Sequence, residues 1–285
     1  MFADDTNLFY KHKDIKVLFQ TVNNELKNIN EWFISNRLSL NVKKTQFSLF
    51  HKASKSDDIP LLLPKLYINN QEIKRTSCTK FLGILLDENL TWKEHLKYTE
   101  SKIAKSIGLM YRAKPFLNKK SLLSLCYSYI HSYVNYANLT WGSTHRTNLK
   151  KIYSQQKHAL RIIHNKDKFY HTKELFKNCS ILNVYKLNLF NVSVFRHKVK
   201  MGTIPSAFDN KFEVSYHSYP TRFSNINYTK PKLKLKKSRF RISIRGPTIW
   251  NDFVGTEEKE LESTLLFKAK VKAKLHKLEN EINLF

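Results

Sequence analysis

Apolar residues recur every three or four positions over several long stretches of the chain, which is the spacing of one face of an α-helix. The first stretch covers residues 15–33 and is broken at residues 35–37. A second helix is predicted to begin at Thr91, with Glu94 three residues later to complete a capping box, and to end before Pro115. Later helices are predicted over residues 119–136, 147–164, 184–200 and 261–281.

Short apolar or alternating segments lie between these stretches and predict strands. The predicted strands are residues 6–10, 46–50 and 81–86. Residues 66–68 and 72–75 flank Asn69-Asn70, which predicts a hairpin because Asn tolerates positive φ. Gly and Pro interrupt the periodicity over 202–230, so no regular element is predicted there. The pattern indicates an α+β fold.

The chain carries far more basic than acidic residues. Lys and Arg number 50 and Asp and Glu 23, which gives a formal net charge of +27. This charge opposes compaction unless a polyanion neutralises it, and nucleic acid is the commonest such partner. The alternative is a Lys-rich composition inherited from an AT-rich genome.

The most basic segment is residues 230–245, which contain eight Lys or Arg and no acid. Basic and apolar residues alternate there, which predicts a strand whose cationic face follows a phosphate backbone. The alternative is a solvated edge strand whose charges prevent aggregation. The candidate nucleic-acid-binding residues of the segment are Lys232, Lys234, Lys236, Lys237, Arg239 and Arg241.

The cysteines and the apolar runs exclude several classes of protein. The three cysteines form no CxxC pair and are odd in number, which favours a reduced, intracellular compartment, nucleus or cytoplasm. The N-terminus has no signal-peptide pattern, and the longest apolar runs are too short to span a bilayer. We therefore expect no membrane association and no small-molecule cofactor.

The strongest chemical candidate is the pair Asp4-Asp5. Two adjacent carboxylates at a tight turn offer oxygen ligands to Mg²⁺. Polymerases use two metal ions, about 4 Å apart, to stabilise the attacking and leaving oxygens of an in-line displacement. By itself the pair is weak evidence, because Asp-Asp at a turn is more often simply solvated.

Further motifs follow the acidic pair in a fixed order. They are Phe-Ala-Asp-Asp at 2–5, Leu-Asn-Val-Lys-Lys-Thr at 40–45, Phe-Leu-Gly at 81–83 and Trp-Lys-Glu-His-Leu at 92–96. A helix ending in a Trp, Trp32, stands between the first two motifs. In this order and spacing, residues 1 to about 113 resemble the reverse transcriptases of non-LTR retrotransposons, especially the Jockey and CR1-like groups.

The resemblance implies an architecture. Residues 1–90 would form the distal part of a polymerase palm, a short antiparallel sheet with one packed helix and a primer-grip-like hairpin. Residues 91–200 would form a mostly helical, thumb-like region, and residues 201–285 a basic C-terminal extension. The implied partners are RNA and DNA as a template–primer duplex.

The resemblance also implies residue roles. Asp4 and Asp5 would hold Mg²⁺, and Lys44 would lie near the phosphates of the incoming nucleotide. The primer-gripping hairpin would contain Phe81, Leu82 and Gly83. Lys44 has a simpler interpretation as a solvated residue and the Phe-Leu-Gly segment as ordinary core, while Trp32 and Trp92 are expected to anchor the core.

One departure from the family changes the functional expectation. A reverse transcriptase needs another metal-binding Asp and a fingers region before the Asp-Asp turn, whereas Met1 directly precedes Phe2 here. We therefore expect a fragment whose two-metal site is incomplete, so that this chain does not polymerise DNA alone. The alternatives are a non-catalytic basic nucleic-acid-binding protein derived from such an element and a decayed gene product.

Overall fold

The structure of the chain is a computed structural model with two compact units, residues 1–94 and residues 95–285. The fold is mixed α+β, as predicted, with many helices and three two-stranded sheets among the described residues. None of the helices in the described ranges is long and apolar enough to cross a bilayer. The structure describes residues 6–52, 60, 63–214, 227–232 and 239–278.

The described residues of the N-terminal unit form one long helix, a 3₁₀ turn and six short strands. In chain order these are α1 (Ile15–Ser35), a 3₁₀ turn (Val42–Lys44), β1 (Gln46–Phe47), β2 (Tyr67–Ile68), β3 (Gln71–Glu72), β4 (Lys74–Arg75), β5 (Cys78–Phe81) and β6 (Ile84–Asp87). Strand β1 pairs in parallel with β4, while β2–β3 and β5–β6 are antiparallel hairpins. The predicted strand at 6–10 is wrong, because these residues are irregular and exposed.

Helix α1 confirms the prediction made from its apolar spacing. The carboxylate of Asp14 caps its first turn by accepting hydrogen bonds from the backbone N–H groups of Lys16 and Val17. Its buried face carries Phe19 and Leu26. These two side chains form the core of the unit with Leu66, Ile68 and Ile73. The pattern of 15–33 therefore encodes both the helix and the face that packs.

Asparagine side chains join α1 to β2 and to the hairpin turn. The Asn23 amide donates to the carbonyl oxygen of Lys65 at 3.0 Å and accepts from the backbone N–H of Tyr67 at 3.0 Å. A side-chain amide thereby satisfies backbone groups of a strand segment that lacks a neighbouring strand on that side. Asn69 and Asn70 have φ values of 50° and 58°, which confirms the predicted Asn-Asn turn.

The burial of the tryptophans differs from the prediction. Trp32 is 51% exposed and lies edge-on against Phe33, so it does not anchor the core. Trp92 is partly buried. Trp141 and Trp250 are fully buried in the C-terminal unit, and the indole N–H of Trp141 donates to the carbonyl oxygen of Tyr136 at 2.7 Å. Apolar spacing alone did not distinguish the two sets.

The C-terminal unit is helical. Its elements are α2 (Lys93–Ala113, which begins at the end of the first unit), α3 (Lys119–Cys126), a π turn (Tyr127–His131), α4 (Ser132–Asn135), α5 (Asn138–Trp141), α6 (Arg146–Ile163), α7 (Lys173–Asn178), α8 (Val184–Lys200), a 3₁₀ turn (Ser206–Lys211), α9 (Ile242–Asp252), α10 (Thr256–Glu260) and α11 (Thr264–Lys277). The predicted helix at 184–200 is confirmed at both ends, and that at 147–164 is confirmed with its ends shifted by one residue. The predicted helix at 119–136 is confirmed as α3 and α4 joined by the π turn, and that at 261–281 is confirmed over Thr264–Lys277, with residues 279–281 outside the described residues.

Helix α8 is the central element of this unit. It contacts α4, α5, α6, α9 and α11, and both apolar and polar residues along it are buried. The amide of Asn188 donates to the carbonyl oxygen of Asn138 at 3.0 Å, which fixes α8 against α5. A Cβ atom at Gly142 would lie 2.5 Å from that carbonyl oxygen, so this crossing requires glycine.

A charged side chain is buried where α8 meets the C-terminal segment. The Arg196 guanidinium lies between the rings of Phe212 and Tyr228, with its carbon 3.9 Å and 3.7 Å from their centroids. None of its three nitrogens makes a hydrogen bond of ordinary geometry with the described residues, and the polar group close enough to interact with it is Tyr228. Burial lowers the pKa of Arg196 to about 10, with Tyr228 acting in the opposite direction. The aromatic faces are therefore its main compensation for lost solvent.

Gly246 lies directly over this arginine. A Cβ atom at position 246 would be 2.8 Å from Cδ of Arg196, which cannot move aside because it is held between two rings. We expect Gly246→Ala to destabilise the protein by about 1–3 kcal/mol through overpacking. Gly108→Ala is the matched control, since it also lies in a helix but has no atom within 4 Å of the added Cβ.

The control substitution should stabilise the helix by about 0.5–1 kcal/mol, because alanine loses less entropy than glycine. Urea denaturation of the two variants measures the difference. Equal effects of the same sign would contradict the packing described for Gly246.

His197, the next residue after Arg196, is buried in neutral form. Its ring stacks on Phe267 with centroids 4.2 Å apart, and Nε2 donates to the carbonyl oxygen of Leu261 at 2.8 Å. Burial, with a smaller contribution from Lys200, lowers the pKa of His197. Burial likewise lowers the pKa of four further histidines in this unit, namely His95, His131, His164 and His276.

We expect the C-terminal unit to lose stability as the pH falls below about 6.5, the ordinary pKa of histidine. The unfolded chain binds the proton first, because the folded-state pKa is lower; the stability is complete above 6.5 and decreases as the pH falls towards the folded pKa. His197→Gln should flatten this dependence between pH 7 and pH 5. Exposed His171→Gln should leave it unchanged, and parallel curves for all three proteins would exclude His197 as a contributor.

Candidate nucleic-acid interface

The acidic pair Asp4-Asp5 lies outside the described residues. The segment that follows it is irregular, and the exposed ring of Phe9 packs edge-on against Phe81 with centroids 5.8 Å apart. Within the described ranges, no group of three or more His, Cys, Asp or Glu side chains is arranged to hold a metal ion. The Mg²⁺ role of Asp4 and Asp5 therefore remains a prediction from the resemblance.

The Phe-Leu-Gly motif forms a tight hairpin turn. Leu82 and Gly83 have φ values of 45° and 80° and connect β5 to β6, whose ends pair at Phe81 and Ile84. The predicted single strand over 81–86 is wrong, because the chain reverses inside it. Gly83 suits such a two-residue turn, whereas Leu82 is there at a conformational cost. Leu82 projects an apolar side chain that is 43% exposed.

Glu88 holds this hairpin to the rest of the sheet segments. Its carboxylate, almost fully buried, accepts two hydrogen bonds from Arg75, Nε to Oε1 and Nη2 to Oε2, both at 2.9 Å. Oε1 also accepts a hydrogen bond from the backbone N–H of Leu49 at 3.3 Å. The backbone carbonyl oxygen of Glu88 accepts one from the backbone N–H of His51 at 3.0 Å. This bidentate geometry raises the pKa of Arg75.

The adjacent carboxylate, Asp87, organises the start of α2. It accepts hydrogen bonds from the backbone N–H groups of Thr91 and Trp92 at 2.9 Å and 3.0 Å. The helix begins at Lys93, and Trp92 has a φ of 65°. The helix therefore begins one residue later than a cap at Thr91 predicts, and Asp87, four residues before Thr91, accepts the Thr91 backbone amide.

The Leu-Asn-x-x-Lys-Thr motif forms the 3₁₀ turn before β1. The Asn41 side chain accepts from the backbone N–H of Lys44 at 3.2 Å, and the Thr45 hydroxyl donates to the Asn41 carbonyl oxygen at 3.0 Å. The Asn and Thr of the motif thus have structural roles, while the Lys44 side chain is exposed. Solvent exposure is compatible with a contact to phosphates.

The basic segment does not form the predicted strand where it is described. Lys232 is exposed, Lys234, Lys236 and Lys237 lie outside the described residues, and α9 begins at Ile242. Arg239 and Arg241 are exposed just before that helix. The strand was predicted from only three alternating residues, Phe240, Ile242 and Ile244. The apolar residues that follow, Ile249, Trp250 and Phe253, continue at helical spacing, and this longer pattern corresponds to the observed helix.

Two of the basic side chains near α9 make contacts within the chain. Nη2 of Arg239 lies 3.2 Å from Nδ1 of His145, and Arg245 is buried within α9. Burial lowers the pKa of Arg245 to about 10, with the nearby Arg239 contributing in the same direction. The segment is therefore a helix start with internal packing as well as an exposed cationic surface.

Sequence reasoning missed Asp87 and Glu88, which organise the N-terminal unit. A signal was present: two consecutive acids follow a predicted apolar strand in a chain with few acids. Their roles concern backbone and Arg75 contacts rather than a metal. The residues proposed for substrate contact, Lys44 and the 81–83 turn, belong to the same compact unit.

Comparison of the chain with protein-family models, with curated proteins and with solved structures gives no match.

Glu88→Gln is expected to destabilise the N-terminal unit by about 1–2 kcal/mol, because an amide NH₂ would face the Arg75 guanidinium and the buried Glu88 carboxylate would lose its bidentate ion pair with the partly exposed Arg75. Glu72→Gln, which removes the exposed ion pair with Lys65, is the matched control and should have no measurable effect. Urea denaturation with hydrogen exchange read at residues 71–88 tests this. Equal stabilities of the two variants would refute the role of Glu88.

Proposed function

We propose that the chain is part of an RNA-directed DNA polymerase of the non-LTR retrotransposon type and binds its template–primer duplex. The observation that carries the proposal is the order of the motifs at 2–5, 40–45, 81–83 and 92–96. The conformations of the middle two support it. One is a capped turn with an exposed Lys44, and the other is a hairpin with a solvent-facing tip.

Each motif has a role in this proposal. Asp4 and Asp5 hold Mg²⁺, which when bound acts as a Lewis acid on the phosphoryl oxygens. Lys44 offers a cation to the nucleotide phosphates, and its exposed side chain supports that role. Leu82 at the hairpin tip contacts the primer strand. The cationic surface of the helical unit contacts the duplex through its phosphates.

A second candidate is a non-catalytic nucleic-acid-binding protein derived from such an element. The net charge of +27 favours it, because this charge supports binding whether or not chemistry occurs. The two candidates differ at the acidic pair, which only a polymerase requires.

The test is binding of a primed RNA template measured by fluorescence anisotropy at several salt concentrations. We expect log affinity to fall steeply with log salt. Because Lys44 is proposed to contact the nucleotide phosphates, Lys44→Ala should weaken the complex formed in the presence of the complementary deoxynucleoside triphosphate and leave binding without the nucleotide nearly unchanged. Lys27→Ala, an exposed lysine of α1, is the control for loss of one charge. A flat salt response would contradict nucleic-acid binding altogether.

Primer extension with Mg²⁺ tests the expectation that this chain does not polymerise DNA alone. Extension that vanishes in Asp4→Ala would overturn that expectation and establish catalysis. Without extension, the two candidates are separated by the effect of Mg²⁺ on binding: Mg²⁺-dependent binding that is lost in Asp4→Ala would favour the polymerase fragment, and indifference to both would favour the non-catalytic protein.

A further inference from the structure

The helical unit has a cleft at the ends of α2 and α6. Its volume is about 510 Å³, within the range of about 300–1,000 Å³ typical of ligand pockets. Leu122 and Ile163 form an apolar floor, and Tyr111, Lys114 and Lys119 are among the residues around them. None of the residues that line it is acidic. The cleft is therefore apolar inside with a cationic margin.

Three large aromatic rings, one on a cleft-lining residue and two within four residues of a lining residue along the chain, are exposed to solvent. Phe116 is 86% exposed and stands between Pro115 and Leu117, which both line the cleft. Phe169 is 85% exposed and follows Asn165, another lining residue, by four positions. Tyr111, itself a lining residue, is 65% exposed. Single exposed rings are common on protein surfaces, whereas several carried by neighbouring segments are typical of a binding surface.

The exposed rings are carried on ordered turns. The backbone N–H of Phe116 donates to the carbonyl oxygen of Ala113 at 3.0 Å. Beside Phe169, Tyr170 is held by a backbone hydrogen bond to Asp167 and by Nε of Arg161, which donates to its carbonyl oxygen at 3.0 Å. The rings are thus presented on fixed backbone, which reduces the entropy lost on binding.

Positive charge is concentrated around the same cleft. Residues 109–120 and 161–170 contain seven Lys or Arg and one acid, Asp167. Lys119 and Lys166 lie close enough to His164 to contribute, after burial, to lowering its pKa. The positive potential of the two segments therefore converges on one place.

We infer that this cleft binds unpaired nucleotides of single-stranded nucleic acid, with bases stacked on Phe116, Phe169 and Tyr111 and phosphates neutralised by the surrounding lysines. The inference rests on the proposed function in taking nucleic acid as the ligand, and adds the strand form and the site. Exposed aromatic rings beside a cationic groove are the arrangement that binds single strands, because every unpaired base offers a flat face. A duplex hides those faces by stacking.

The test uses the full chain with fluorescein-labelled oligo(dT) and oligo(rU) of 12 nucleotides, which form no secondary structure, and with a primed duplex. Phe116→Ala and Phe169→Ala should each weaken single-strand binding at least about fivefold, the lower limit for one stacked base. Both variants should leave duplex binding within twofold. Leu265→Ala, which removes a side chain 77% exposed on the same unit, is the control and should change neither.

A direct contact is read from Phe116→Trp, whose emission should change on adding either oligonucleotide. Single-strand binding that ignores both ring substitutions would overturn the inference while the proposed function stands, provided that the duplex still binds. Absence of all nucleic-acid binding would refute both. Ring-dependent binding to anionic lipid vesicles without oligonucleotide binding would assign the cleft to a membrane surface instead.

Discussion

The burial of the Arg196 guanidinium constrains how the C-terminal unit packs. A cation removed from water needs compensation, and two aromatic faces supply it in a chain with few carboxylates. Meeting this need brings together Phe212, Tyr228 and Gly246, which are distant in sequence from α8. Phe212 and Tyr228, which follow α8 in the chain, and Gly246 in α9 are thereby packed against the central helix.

The scarce acids satisfy backbone groups and selected cations rather than neutralising the surface. Asp14 caps α1, Asp87 binds the amides before α2, and Glu88 holds Arg75 and Leu49. Most basic side chains are left to solvent, so the surface keeps a strongly positive potential. The structural use of carboxylates and the expected attraction for a polyanion are consequences of the same composition.

The long helices were predictable because each carries an apolar face over four or more turns, as α1, α6 and α8 do. Short patterns failed. Three alternating residues, Phe240, Ile242 and Ile244, suggested a strand where tertiary packing selects a helix. The apolar pattern did not predict the Phe-Leu-Gly turn, because leucine rarely adopts positive φ. For the candidate site, the motifs give the residues near β1 and the hairpin, but the cleft at α2 and α6 joins segments 40 residues apart that no local pattern connects.

The pairing of Asn23 with the strand backbone affects how the N-terminal unit folds. Its two hydrogen bonds span more than 40 residues, and the fully buried partners of Phe19 and Leu26 come from residues 66–73, whereas nearer residues such as Leu40, Val42 and Phe47 are only partly buried against this core. Helix α1 therefore forms before most of the contacts that stabilise it. The loop between α1 and residues 66–73 must close, at an entropic cost, before those contacts can form. Opening of the Asn-Asn hairpin removes the support of α1 at the same time, so the backbone amides of helix and hairpin gain and lose protection together.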